Sequence, residues 1–379
     1  MHPLQMVDLK RQYQKIKPEI DAAIQEVIDS TAFIGGKDIK EFSNELQEYL
    51  GVKHVIPCAN GTDALQIGLM ALGLQPGDEV ITPSFTYMAT VEVVALLKLT
   101  PVFVDVDADT FTLNIDSVRQ AITAKTKAII PVHLYGQAAD MEPLMALAKE
   151  YSLPLIEDNA QAIGGSYTFS DGRTVKTGTM GVMGTTSFFP SKNLGCYGDG
   201  GAMFTNDDAL AEKLRMIANH GQKVRYYHEM VGCNSRLDSI QAAVLRVKLK
   251  HLDEYCDARR AVADYYDNAF KGNPNIITPF RAAYSKHVFH QYTLQVKNVS
   301  RDEVQKLLSE RNVPSMLYYP VPCHKQEMLK EYNVAGTPLP TTNMLQDCVI
   351  SLPIHTEMTE EELNYIATNF LEVIAQLAN

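Results

Sequence analysis

Thr185-Thr186-Ser187-Phe188-Phe189-Pro190-Ser191-Lys192-Asn193-Leu194-Gly195-Cys196-Tyr197-Gly198-Asp199-Gly200-Gly201 is the stretch on which the reading of this chain turns. Its opening run, 185–189, is built of β-formers and stops at Pro190. The chain then delivers Lys192 into a loop rich in glycine, where backbone can approach a ligand closely. Most lysines are solvated surface amines. Here the upstream context argues otherwise: Leu155-Ile156-Glu157-Asp158 has the pattern of a buried strand ending in an acid, and Asn159-Ala160-Gln161 follows it.

A strand-end carboxylate and a lysine on a glycine-rich loop suit pyridoxal phosphate. The lysine forms the covalent link, and the acid keeps the pyridine nitrogen protonated so that the ring can accept electrons.

Working outward, seven short apolar runs (54–58, 79–82, 101–106, 128–132, 155–158, 185–189 and 202–205) alternate for the most part with helical patterns. That alternation predicts an α/β sheet covered on both faces, with ligand beyond the carboxyl ends of the strands. The first run leads into Cys58-Ala59-Asn60-Gly61-Thr62-Asp63 at the start of a helix, which reads either as an ordinary helix cap or as an anion site for a phosphate. After the second run comes Pro83-Ser84-Phe85-Thr86-Tyr87-Met88-Ala89-Thr90, where Tyr87 or Phe85 could stack on a planar ring or simply fill the core. His133, at a strand end, reads as a packed histidine.

Residues 167–184 read as a hairpin-like excursion, and 16–29 and 42–50 as helices separated by Phe33-Ile34-Gly35-Gly36. On its residues that loop reads as a plug in the core. A single long helix is expected over 239–270, then a strand over 291–296 and helices over 301–311 and 359–377. Domains are expected at 1–250 and 251–379, the second a smaller α/β unit.

A chain of 379 residues, 46% of them apolar, has ample material for two cores. The polar N-terminus and the charged residues that interrupt the apolar runs predict a cytoplasmic protein with no membrane segment. Six scattered cysteines without Cys-x-x-Cys spacing give no sign of a metal site or a disulfide framework. A net charge of −11 argues against nucleic acid as a partner.

The order of Glu157-Asp158-Asn159-Ala160-Gln161 and then Ser187 to Lys192 resembles the DegT-type sugar-nucleotide aminotransferases, and the resemblance extends from about Val7 to the last helix. It implies an aspartate aminotransferase-like (fold type I) architecture, with a mostly parallel seven-stranded sheet and a smaller C-terminal domain. It implies pyridoxal phosphate held by Gly61, Thr62, Tyr87, Asp158, Gln161, Ser187 and Lys192. It also implies a homodimer with shared sites, in which Asn234 reaches the neighbour's phosphate and the Phe33-Ile34 loop, as the alternative to a core plug, approaches the neighbour's site. The amino donor would be glutamate and the acceptor a nucleotide-linked keto sugar, in cell-surface polysaccharide synthesis.

Blocks 58–67, 187–202 and 231–238 are most similar to enzymes that aminate the 3-keto group of UDP-linked N-acetylglucosaminuronate. Those carry histidine where this chain has Tyr318 before Tyr319-Pro320, which leaves a neutral deoxy keto sugar as the alternative. Arg236 could pair with a uronate, with the donor's carboxylate, or with Asp238. A regulator without turnover would lack the lysine or carry a damaged pocket. A plain nucleotide-binding fold would carry Gly-x-Gly-x-x-Gly after its first strand, and that motif is missing there.

Overall fold

The computed structural model describes residues 3–330, 332 and 338–378. Two helices, α1 (Leu9–Ser30) and α2 (Lys37–Leu50), precede the first strand. The helix expected from residue 16 begins earlier because Asp8 caps it, accepting from the Arg11 N–H at 2.9 Å. Pro18 cannot donate within the helix, and the backbone departs from helical values nearby at Ile16.

The alternating part follows as β1 (His54–Cys58), α3 (Gly61–Ala71), β2 (Glu79–Pro83), α4 (Ala89–Leu96), β3 (Thr100–Val104), α5 (Ile115–Ala121), β4 (Thr126–Ile129), α6 (Met141–Glu150) and β5 (Ile156–Asp158). A hairpin, β6 (Ser166–Thr168) and β7 (Thr174–Lys176), forms within the 167–184 excursion. After it come β8 (Met183–Ser187), β9 (Gly201–Thr205), α7 (Asp208–Ala218) and a small ribbon, β10 (Gln222–Val224) with β11 (Tyr227–His228).

The strands lie in the order β1-β9-β8-β5 and β3-β2-β4. Parallel bridges from Ile129 to Leu155 and from Val132 to Asp158 join the two groups into one sheet of seven. β9 alone runs antiparallel to its neighbours, β1 and β8. Parallel neighbours need a crossover, usually a helix. The Lys192 loop between β8 and β9 contains none, so the chain turns back on itself.

Both faces of the sheet are buried. Ile56, Val80, Ile156 and Met203 pack with α3, α4 and α7 on one side. Val55 and Phe204 meet α2 and the 239–249 helix on the other, where Ile81 and Ile129 pack with α5 and α6.

The long helix expected over 239–270 is two: α8 (Ser239–Leu249) and α9 (Leu252–Phe270), broken at Lys250-His251. The break lets α9 serve two cores. Leu252 and Cys256 pack against the large sheet's cluster, whereas Val262, Ala263, Tyr266 and Phe270 belong to a second cluster. That second core holds β12 (Ile276–Ile277), β14 (Tyr292–Val296) and β15 (Val349–Leu352), an antiparallel sheet flanked by α10 (Arg301–Glu310) and α12 (Glu360–Leu377). Between them, β13 (Ser285–Lys286) pairs with β6, and α11 (Pro340–Cys348) leads into β15. The N-terminal segment leans on this second core through Leu4 and through Arg11, which donates to Glu362 at 2.8 Å.

Phe370 is fully buried there, its ring 5.1 Å from Phe270. Phe370→Ala should cost about 3–5 kcal/mol in denaturant unfolding, through lost burial and the cavity left behind. A loss below about 1 kcal/mol would mean that this core is not close-packed around the ring.

Candidate active site

Asp158 and Ser187 end β5 and β8, two parallel neighbours in which Asp158 lies opposite Thr185. Both therefore emerge on the carboxyl edge of the sheet, and the loop after Ser187 folds back over that edge. The loop is pinned at several points. Lys192 N–H donates to Phe189 O at 2.8 Å, Asn193 Nδ2 to Val288 O at 3.0 Å, and the buried Lys248 Nζ to Gly195 O at 2.6 Å. The result is a cavity of about 660 Å³ that brings Lys192, Asp158, Gln161, Ser187, Gly61, Thr62, Tyr87 and Tyr318 together. Burial lowers the Lys192 amine to about 8, with Asp158 pulling in the opposite direction.

Asp158 is buried and hydrogen-bonded on both oxygens, accepting from Thr90 Oγ1 at 2.8 Å and from the Ala160 N–H at 3.1 Å. Thr90 escapes the sequence reading because only the packing of α4 on the sheet brings it to the acid. Its neighbour Glu157 points to the other side and is fully buried. Glu157 accepts from the Gly178 N–H at 2.8 Å, from the Met180 and Gly181 N–H groups, and from His133 Nε2. Because the Ala139 N–H donates to His133 Nδ1, the ring carries its proton on Nε2. The chain leaving the β6–β7 hairpin thus anchors the acid next to Asp158.

At the opposite wall, Asn60 caps α3 by accepting from the Asp63 N–H at 2.8 Å. Gly61 and Thr62 stand at the open end of the helix, where N–H groups lack intrahelical acceptors. A Cβ on Gly61 would lie 2.7 Å from Ser187 Cβ, so glycine is what lets the serine close against the helix end. Phe85 is fully buried among Phe111, Val132 and Tyr135, whereas Tyr87 is 59% exposed on the cavity wall. Gln161 has its amide orientation fixed: Oε1 accepts from the Tyr135 N–H at 2.8 Å, and Nε2 donates to Tyr319 Oη at 3.0 Å. Tyr319 and His290, both lining the cavity, are further residues that sequence reasoning did not single out. His290 is buried, its Nδ1 has no partner, and burial with the nearby Lys192 and Arg259 charges pushes its imidazole well below the usual range.

Asn234 and Arg236 are not brought to this cavity. Both are exposed, on an extended segment before α8, and Asn234 bridges to Asn219. Among the described residues Arg236 has no ion pair with Asp238. Phe33 and Ile34, 45% and 52% exposed, do not plug the core.

The donor set fits pyridoxal phosphate: a helix end with a serine for the phosphate, a buried acid, an amine with a lowered pKa, and an unpartnered imidazole nitrogen in the same cavity. Once cofactor is removed, recapture of pyridoxal phosphate by Lys192 should speed up as pH rises through about 8 and then level off, since only the neutral amine attacks. A rate still climbing at about pH 10, as for an ordinary lysine, would contradict the burial effect.

Among the described residues no helix is long and apolar enough to cross a membrane. Residues 14–371 match the DegT/DnrJ/EryC1/StrS aminotransferase family. The chain is 46% identical over 363 residues, 96% of its length and 98% of the relative's, to the UDP-2-acetamido-2-deoxy-3-oxo-D-glucuronate aminotransferase of Pseudomonas aeruginosa. It is 45% identical over 375 residues, 98% of its length and 99% of the relative's, to a protein of Geobacillus stearothermophilus named pleiotropic regulatory protein. The structure of NtdA from Bacillus subtilis with bound cofactor PMP superposes with a TM-score of 0.91 at 32% identity, over 99% of this chain and 86% of that one. The chain belongs to the DegT/DnrJ/EryC1/StrS aminotransferase family and is a pyridoxal phosphate-dependent aminotransferase.

Proposed function

We propose that this enzyme moves an amino group from glutamate to a nucleotide-linked keto sugar in the cytoplasm, working as a homodimer with shared sites. The observation that carries the reading is the convergence of Lys192 and Asp158 in one cavity opposite the open end of α3. Pyridoxal phosphate, when bound, supplies an electron-accepting ring that stabilises charge on the carbon losing its proton. Lys192 holds the cofactor and, once displaced by the amino donor, its Nζ takes the proton from the donor's α-carbon and returns it to the cofactor side. Burial suits this task, because an amine lowered to about 8 is partly neutral near physiological pH.

Asp158, oriented by Thr90 and by the Ala160 N–H, keeps the ring nitrogen protonated. Gly61, Thr62 and Ser187 receive the phosphate, Tyr87 stacks on the ring, and Gln161 Nε2 offers a donor to the phenolic oxygen. Residues 1–250 form the cofactor-binding unit and 251–379 a smaller lobe that contributes His290 and Tyr318. A regulator without turnover would lack the lysine or carry a damaged pocket, and the presence of Lys192 and Asp158 in one cavity supports the enzymatic reading instead.

Exposure of Asn234 and Arg236 away from their own cavity supports their service to a neighbouring subunit. Mixing inactive Lys192→Ala and Asn234→Ala proteins under subunit exchange should then restore part of the activity, because one site per mixed dimer retains both residues. Absence of recovery, with exchange confirmed, would place both in the same subunit's site.

For the acceptor, the reading is a UDP-linked 3-keto-N-acetylglucosaminuronate, supported by the name of the Pseudomonas relative, for use in cell-surface polysaccharide. Tyr318 on the cavity wall is where a neutral keto sugar would be favoured instead. Arg236→Lys keeps the charge but loses the paired bond to a planar carboxylate. With a uronate acceptor it should weaken the keto-sugar half-reaction roughly thirtyfold, about 2 kcal/mol, and spare the glutamate half. Single-turnover absorbance separates the two halves. Damage confined to the glutamate half would favour the neutral sugar.

A further inference from the structure

From Asn234 to Ser239 burial alternates strictly: Ser235, Leu237 and Ser239 are buried, and Asn234, Arg236 and Asp238 are exposed. This is the period of an extended chain, whose successive side chains point to opposite sides. Each inward residue grips a different part of its own subunit. Ser239 Oγ accepts from the Gly36 N–H at 3.2 Å, and its own N–H donates to Phe33 O at 2.9 Å. Leu237 packs in the cluster that contains Phe188, Leu194 and Cys196 of the Lys192 loop. Ser235 Oγ accepts from the Ala59 N–H at 3.0 Å and donates to Asp63 Oδ2 at 2.6 Å.

The last contact has a chemical consequence. Asp63 lies in the first turn of α3, next to Thr62, and lines the cavity. A carboxylate there is compatible with the helix dipole but would repel a phosphate at the helix end. The hydroxyl of Ser235, itself 1% exposed, satisfies Oδ2 of the half-buried Asp63 from the side of the 234–239 segment, a strap laid along its own subunit.

We propose that Ser235 is a positioning residue that holds the Asp63 carboxylate away from the cofactor's phosphate and so ties the phosphate site of one subunit to the strap carrying Asn234 and Arg236. This rests on the reading of Gly61, Thr62 and Ser187 as the phosphate cradle. Cofactor loading is then coupled, through that hydrogen bond, to the segment that presents Asn234 and Arg236.

The test compares pyridoxal phosphate with pyridoxal, which lacks the phosphate, in titrations of cofactor-depleted full-length protein. Ser235→Ala should bind pyridoxal phosphate about tenfold more weakly while binding pyridoxal within about twofold of the parent, because only the phosphate meets the released carboxylate. Adding Asp63→Asn to Ser235→Ala should restore most of the lost affinity, since the charge is gone. Equal weakening for both ligands, no weakening, or no recovery in the double variant would overturn the proposal. Should Ser235→Ala fail to fold, Asp63→Asn alone decides: it should bind pyridoxal phosphate as tightly as the parent or more tightly, and weaker binding would overturn the role given to Ser235. Ser187→Ala separates this inference from the cradle itself. If it leaves the preference for pyridoxal phosphate over pyridoxal intact, the cradle reading fails; if it lowers the preference while the Ser235 series shows none of the expected changes, only the role of Ser235 fails.

Discussion

The antiparallel return of β9 beside β8 forces a loop at the carboxyl edge of the sheet, and the chemistry of the molecule is arranged around that loop. A loop in a cavity is normally free to move, and a freely moving lysine has the pKa of a solvated amine. Here the Lys248 ammonium, itself buried and lowered to about 8, donates to Gly195 O, and Asn193 reaches across to Val288 O. These bonds hold the loop just after Lys192, and the Lys192 N–H bonded to Phe189 O holds it just before. The same segment that holds Asn193 continues to His290, whose carbonyl accepts from Arg259 Nη1 at 3.2 Å. Lysine loop and imidazole are therefore both positioned by buried side-chain donors, Lys248, Asn193 and Arg259, bonded to backbone carbonyl oxygens.

The acid on the other side of the cavity depends on an equally costly arrangement. Burying Glu157 without partners would be strongly unfavourable. Three backbone N–H groups of 178–181 and the His133 ring together supply the donors, so β5 is fixed from behind while Asp158 faces the cavity. The excursion that carries β6 and β7 thus has a structural task at the active site although none of its residues lines the cavity.

Two cores and one broken helix complete the frame. The break at Lys250-His251 lets α9 leave the large sheet and enter the second cluster, bringing the chain round to the segment that supplies His290, Tyr318 and Tyr319. The strap before α8 links the Phe33 loop, the Lys192 loop and the head of α3 by three inward side chains. Any shift of that strap is felt at all three.

Local patterns in the sequence were enough for the seven strands of the large sheet, for the acid ending β5 and for the lysine in the loop after β8, because each depends on neighbours within a few residues: alternation, a terminating proline, a carboxylate after an apolar run; the family was recognised from the order of motifs along the chain. The helix cap at Asn60 was legible for the same reason. Other features depend on distant parts of the chain, and only the tertiary structure decided them. Phe85 and Tyr87 sit two residues apart with the same pattern, and the packing of Phe111 and Tyr135 is what buries one and leaves the other on the cavity wall. Thr90 meets Asp158 only because α4 docks on the sheet, and Glu157 finds its donors only when 178–181 folds over it. The antiparallel sense of β9 follows from a loop without a helix. The early start of α1 follows from the Asp8 cap, with Arg11 tied to Glu362 more than three hundred residues away. For Phe85, Thr90, Glu157 and the Arg11–Glu362 pair the deciding interaction joins groups that are far apart in sequence, and a hydrogen bond or ring contact of that kind leaves no local pattern from which it could be read; the Asp8 cap and the helix-free loop before β9 are local, and what the tertiary structure adds there is the packing that keeps them in place.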